Sequence, residues 1–166
     1  MIFLDQPTKI AEDIHEILGK KFFWREWSIV VYKRLGGHDR QYHSRECEDQ
    51  GLTYINDNWK NYVIMVASSD KSSTRSKPSM EGYDRNTPNA QTLYYKRMNF
   101  LFDCNNVKLA GVFEYTEHKI IAPEKSANIQ VFQVKKKTGH HCVIVGRAGR
   151  CYPTYADIKF YAFAIA

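Results

Sequence analysis

The carboxy-terminal part of the chain does most to limit the fold. From residue 93 onward almost every segment is patterned for β structure, with expected strands at 93–102, 107–115, 128–135, 141–146 and 157–165. Gly139 and the turn at 146–149 fall between neighbouring strands at hairpin distance. Strands joined by turns that short pair antiparallel, because parallel pairing needs a crossover of roughly a dozen residues. The final stretch, DIKFYAFAIA, is apolar enough that it belongs inside a sheet; exposed, it would invite edge-to-edge association.

One segment breaks the β pattern. Ile10, Ile14, Ile17 and Leu18 recur at helical spacing, Pro7 suits a first turn and Gly19 suits an end, so a helix is expected over 8–19. Lys9, Glu12, Asp13 and Glu16 would face water, and the apolar stripe would cover Trp27, Ile29 and Val31. A strand over 27–32 and a second over 59–67 (WKNYVIMVA) follow, the second apolar on both faces and therefore central. The polar stretches 34–58 and 68–91 read as long loops. The fold expected is α+β and β-dominated: an amino-terminal amphipathic helix on a mostly antiparallel sheet that forms a sandwich or partial barrel, in one domain spanning 1–166. A chain of 166 residues has the length of a single domain, and its 43% hydrophobic content supports a packed core.

Charge and cysteines bear on compartment and partner. The net charge is +6, which suggests an acidic partner: a glycan, another polyanion, nucleic acid or a membrane surface. Lys135, Lys136 and Lys137 form a run beside His140 and His141, and Lys71, Arg75, Lys77 and Arg85 dominate a second segment. Cys142 and Cys151 flank a strand-and-turn stretch and make the best local disulfide, which leaves Cys47 with Cys104. Two disulfides point to an oxidising compartment and a secreted protein. The opening MIFLDQPTK lacks the basic and apolar regions of a secretory signal, so the expectation is a mature secreted form with its signal absent.

Three chemistries are compatible with these residues. Trp59 with Asn58, Tyr83 with Arg85, and Lys135, Lys136, Lys137 and His140 have the stacking and hydrogen-bonding groups of a binding surface for a glycan, an acidic polymer or a protein. His38, Arg40 and His43 are the parts for metal-independent phosphodiester cleavage in a small ribonuclease. The apolar final strand and the basic, Ser-rich loop suit a membrane-active or self-assembling protein. Adjacent His140 and His141 point to opposite faces of a strand and do not grip one metal, and no nucleotide-binding, serine-hydrolase or EF-hand signature is present. No cofactor or metal is expected, and the leading reading is a secreted, non-enzymatic binding module. Deleting residues 157–166 is expected to abolish cooperative folding; a truncated protein with a sharp thermal transition would show that the last strand lies outside the core.

Overall fold

Helix α1 (Gln6–Lys21) precedes eight strands: β1 (Arg25–Lys33), β2 (Arg40–His43), β3 (Thr53–Trp59), β4 (Tyr62–Asp70), β5 (Leu109–Glu114), β6 (His118–Ile121), β7 (Ala127–Val145) and β8 (Ala148–Ile165). These come from a computed structural model that describes residues 6–35, 39–43, 53–71, 75–79 and 107–166. The strands form two antiparallel four-stranded sheets, ordered β3-β4-β1-β6 and β2-β5-β8-β7. One sheet curls into a half-barrel, and the α+β, β-dominated expectation holds.

The helix is longer than expected and turned on its axis. It runs through Gly19 to Lys21, where Lys20 closes an i,i+4 ion pair with Glu16 at 2.8 Å and two lysines face the negative end of the helix dipole. Pro7 and Ala11 are buried, and Ile10, Ile14 and Leu18 pack around Ala11, Ile29 and Val31. At roughly 100° per residue, Pro7, Ala11, Ile14 and Leu18 point in nearly one direction, and Ile17 lies about 90° away. Ile17 is accordingly 63% exposed rather than part of the stripe. Trp27 is not under the helix either; its indole N–H donates to the Phe22 carbonyl and its ring packs against Phe22.

The first sheet separates two apolar layers. Ile29 and Val31 face the helix, while Val30, Tyr32, Val63, Met65 and Ala67 face Leu109, Phe113, Phe163 and Ile165 of the second sheet. Strict alternation along β1 and β4 allows this, since neighbouring side chains leave a strand on opposite faces. β4 is an interior strand as expected, although it begins at Tyr62. Lys60 and Asn61, with φ of 51° and 65°, make the two-residue turn of a β3–β4 hairpin. The interval 34–58 is thus not one loop: it contains β2 and most of β3. The apolar residues that would mark those strands are sparse, and pairing rather than composition makes them strands.

The second sheet is organised by β8. Phe160 to Ile165 pair with β5 on one side and β7 on the other, so the apolar carboxy-terminal run is interior as expected. Gly111 of β5 lies under Phe163. A Cβ there would sit 2.8 Å from the ring, so the absence of a side chain lets an aromatic face close on the backbone. Gly139 does not separate two strands. It marks a bulge between Lys137 and Gly139 inside the single strand β7, and the segment 135–141 is therefore mid-strand, not a turn. The turn beyond is also tighter than expected, Gly146 and Arg147 alone, with Ala148 and Gly149 already in β8. The expected strand 93–102 lies outside the described residues, as does most of the loop 68–91.

Charged groups tie the two sheets together at one end. Arg75 donates to Glu26 at 2.9 Å and to the main-chain oxygen of Ala166 at 2.7 Å. Lys108 donates to the Ser68 carbonyl at 2.9 Å. Burial pushes the Lys108 ammonium down to about 8, assisted by Arg75 and Arg25 and opposed by Asp70. Between pH 8 and the ordinary lysine value the unfolded chain holds a proton that the folded chain has released, so this group makes stability rise with pH in that interval. Tyr32 acts in the opposite sense only above its ordinary value of 10.0. The urea midpoint is expected to climb from pH 8 toward about 10, and Lys108→Met to remove that climb. Identical pH dependence in both proteins would show that Lys108 is not coupled to folding.

Candidate functional site

β7 and β8 outrun the sheet that holds them. The last bond between β8 and its neighbour β5 is from the Tyr115 amide to the Lys159 carbonyl, at 2.8 Å. Past that point, among the described residues, β7 and β8 pair only with each other, through Lys135↔Asp157, Lys137↔Tyr155 and His141↔Tyr152 to Val145↔Ala148. About a dozen residues per strand at ~3.4 Å each make a two-stranded ribbon roughly 40 Å long. Nearly all its described side chains are exposed, and among the described residues neither edge pairs with another strand.

An isolated two-stranded hairpin is marginal in water, and this one carries its own fastenings. The Cys142–Cys151 disulfide joins directly opposed residues, three residues from the turn on each strand. Closing so short a loop contributes at most about 3 kcal/mol through the unfolded state. The Thr138 hydroxyl sits 3.2 Å from the Thr154 hydroxyl beside the bulge. At the base, the Lys159 ammonium lies 4.3 Å from the centre of the Tyr115 ring.

The ribbon also concentrates the charge. Residues 133–159 contain six Lys or Arg (Lys135, Lys136, Lys137, Arg147, Arg150 and Lys159) and one acidic residue, Asp157. Five of the six net positive charges of the chain therefore lie on the ribbon and its base, and the remaining residues are nearly neutral. The alternation places Lys135, Lys137, Lys159 and His140 on the face that carries the disulfide, and His141 and Arg150 on the opposite face. Tyr152 and Tyr155, one on each face, are 51% and 52% exposed. At the far end Ile144 and Val145 are 82% and 71% exposed, beside Arg147.

An aromatic cluster supports the base. Tyr32 stacks on Phe113 with ring centres 4.1 Å apart and planes 2° from parallel. Phe113 touches His118, Tyr161 and Phe163, and His118 and Tyr115 both contact Tyr161. His118 Nδ1 lies 2.6 Å from the Thr116 carbonyl. Burial, then Tyr115, raises the Tyr161 phenol above its ordinary value. Beneath the cluster the Tyr32 hydroxyl donates to Asp39 Oδ2 at 2.7 Å, Arg34 pairs with the same oxygen at 3.1 Å, and the Gln41 amide donates to both Tyr32 and Asp39. Burial, then Asp39, pushes the Tyr32 phenol far up. This hydrogen-bonded network lets a nearly buried carboxylate persist between the sheets.

The sequence-derived candidates fare unevenly in space. Lys135, Lys137 and His140 come together on the ribbon, with Lys136 on the same strand. Trp59 and Asn58 lie on β3 in the other sheet. Tyr83, Arg85, His38, Cys47 and Cys104 lie outside the described residues. Arg40 and His43 are three apart on β2 and leave it on opposite faces, and the carboxylate that precedes Arg40, Asp39, is engaged with Tyr32, Arg34 and Gln41. Sequence reasoning missed Arg147, Arg150, Ile144 and Val145 as surface features. The signal was present: two cysteines equidistant from a glycine-containing turn already imply a tight ribbon with alternating faces. Among the described residues no three His, Cys, Asp or Glu side chains gather at a metal-sized site, and no helix is long and apolar enough to cross a membrane.

Searches against protein-family models, curated proteins and solved structures find no match to this chain. The ribbon's geometry is consequently the main guide to function. If the disulfide holds the ribbon, Cys142→Ser with Cys151→Ser is expected to speed amide exchange across 139–154 by up to roughly 100-fold, leaving β1 and β4 protected. Unchanged exchange in the ribbon would mean that the cross-strand hydrogen bonds alone hold it.

Proposed function

We propose that this protein is a secreted, non-enzymatic binding module whose β7–β8 ribbon takes up an acidic polymer. The observation that carries this reading is the placement of charge: a nearly neutral body bears a projecting arm with a net +5. A cationic arm clear of the body meets little competing negative potential, so it attracts polyanions over a Debye length of about 8 Å at physiological salt. Lysines and arginines spaced along two faces contact successive sulfate or phosphate groups, and the exposed Tyr152 and Tyr155 offer rings for stacking on sugars or bases. An exposed disulfide between opposed strands agrees with an oxidising, extracellular setting. The ribonuclease alternative has less support, since Arg40 and His43 diverge from β2.

Binding of this kind releases counterions, so affinity falls steeply with salt. With about four contacts, affinity for heparin is expected to drop by roughly 100-fold between ~50 and ~200 mM salt. Arg147→Ala with Arg150→Ala should lower the slope of log K against log salt by about two. Affinity independent of salt, or a slope unmoved by both substitutions, would refute the role assigned to the ribbon.

A further inference from the structure

We infer that the tip of the ribbon also enters the headgroup layer of an anionic lipid bilayer, so that the arm that takes up acidic polymers docks on a membrane as well. This inference rests on the arm being the binding element. Attraction to a soluble polyanion accounts for the lysines and arginines, but it leaves the tip unexplained. Val143, Ile144 and Val145 are consecutive apolar residues at the point of the molecule farthest along the arm, and Ile144 and Val145 are the most exposed large hydrophobic side chains among the described residues. Arg147 stands in the turn itself, Arg150 is opposite Val143, and His140 and His141 follow behind the disulfide.

The spacing suits an interface. From the turn to the level of Val143 and Arg150 the ribbon advances about 10 Å, which matches the ~5–10 Å to which interfacial elements sink into the boundary between headgroups and acyl chains. At that depth the three apolar side chains leave water, and Arg147, with a long apolar stem, extends its guanidinium back to the phosphates. Cations on both faces of the ribbon agree with the same picture. A penetrating arm is ringed by headgroups, which meet cations on either face.

The open edges of the ribbon limit its depth. Past Lys159 no other described strand covers the outward N–H and C=O groups of β7 or β8. Such groups are costly in hydrocarbon, where water cannot satisfy them. Only the turn and its neighbours can enter, so the arm docks without spanning the bilayer and without opening a pore.

The test uses two probes: soluble heparin, and phosphatidylcholine vesicles with about 30% phosphatidylserine that enclose a fluorescent dye. The intact protein is expected to co-sediment with the anionic vesicles, not with pure phosphatidylcholine, and to leave the dye inside. Ile144→Ser with Val145→Ser, which leaves the charge of the arm unaltered, should weaken vesicle partition by at least tenfold and leave heparin affinity unchanged. Both positions are exposed, so a matching thermal transition will verify folding. Equal partition of the variant would overturn insertion and reduce the contact to surface adsorption. Heparin binding by the intact protein without vesicle binding would also overturn it, while leaving the arm as a polymer-binding element. Dye release would overturn the shallow docking. Binding to neither probe would remove this inference and the proposed function together.

Discussion

A single strand, β8, holds the body together and also builds the arm. Its carboxy-terminal half lies between β5 and β7, with Phe160, Phe163 and Ile165 fully buried. Its amino-terminal half continues without a break into the solvent-exposed ribbon. Hydrogen bonding on both sides fixes the inner half, and strand continuity then sets the direction in which the outer half leaves. The arm therefore emerges from a strand that is paired on both sides, and its base is braced by Tyr115 over Lys159 and by the Tyr161–His118 contact. An arm joined by a loop would lose this orientation.

A nearly buried carboxylate, Asp39, sits at one end of the Tyr32–Phe113 stack. There the phenol and Gln41 bring hydrogen bonds to Asp39, and Arg34 supplies the opposite charge. Removing any one of these would leave a nearly buried carboxylate short of a donor, at a cost of about 1–3 kcal/mol or more for a charged group. The network lies next to the ring cluster at the base of the arm, so it also holds Phe113 against Tyr161 and Phe163. The charged contacts of Arg75 and Lys108 serve a different purpose, fastening the final residue and β4 to their neighbours.

Much of the fold was legible because its signals are local. The helix near residues 8–19, the strands at 27–32 and 107–115, the interior position of the last strand and the Cys142–Cys151 pair all follow from periodicity or from short turns. Two errors share a cause. In the sequence Gly139 and Gly149 look like breakers, yet the first is a bulge and the second an ordinary strand residue, because cross-strand pairing overrides the weak preference of one glycine. The same effect hid β2, β3 and β6, whose residues become strands only beside β5, β4 and β1. The candidate site was half legible: the run Lys135–Lys137 was visible, but Arg147, Arg150 and the apolar tip read as an unremarkable turn.

By itself, the sequence determined the class of fold, the apolar strand that closes it, the total charge and the cysteine pair nearest in the chain. Each depends on spacing within a few residues or on composition alone. Only the tertiary structure decided where the charge goes. Whether β7 and β8 form part of a broad sheet or stand clear of it depends on where β5 stops, and β5 stops because the chain turns at Tyr115 toward β6. That choice, made by packing between residues far apart in the chain, turns a mildly basic domain into a neutral body with a charged arm.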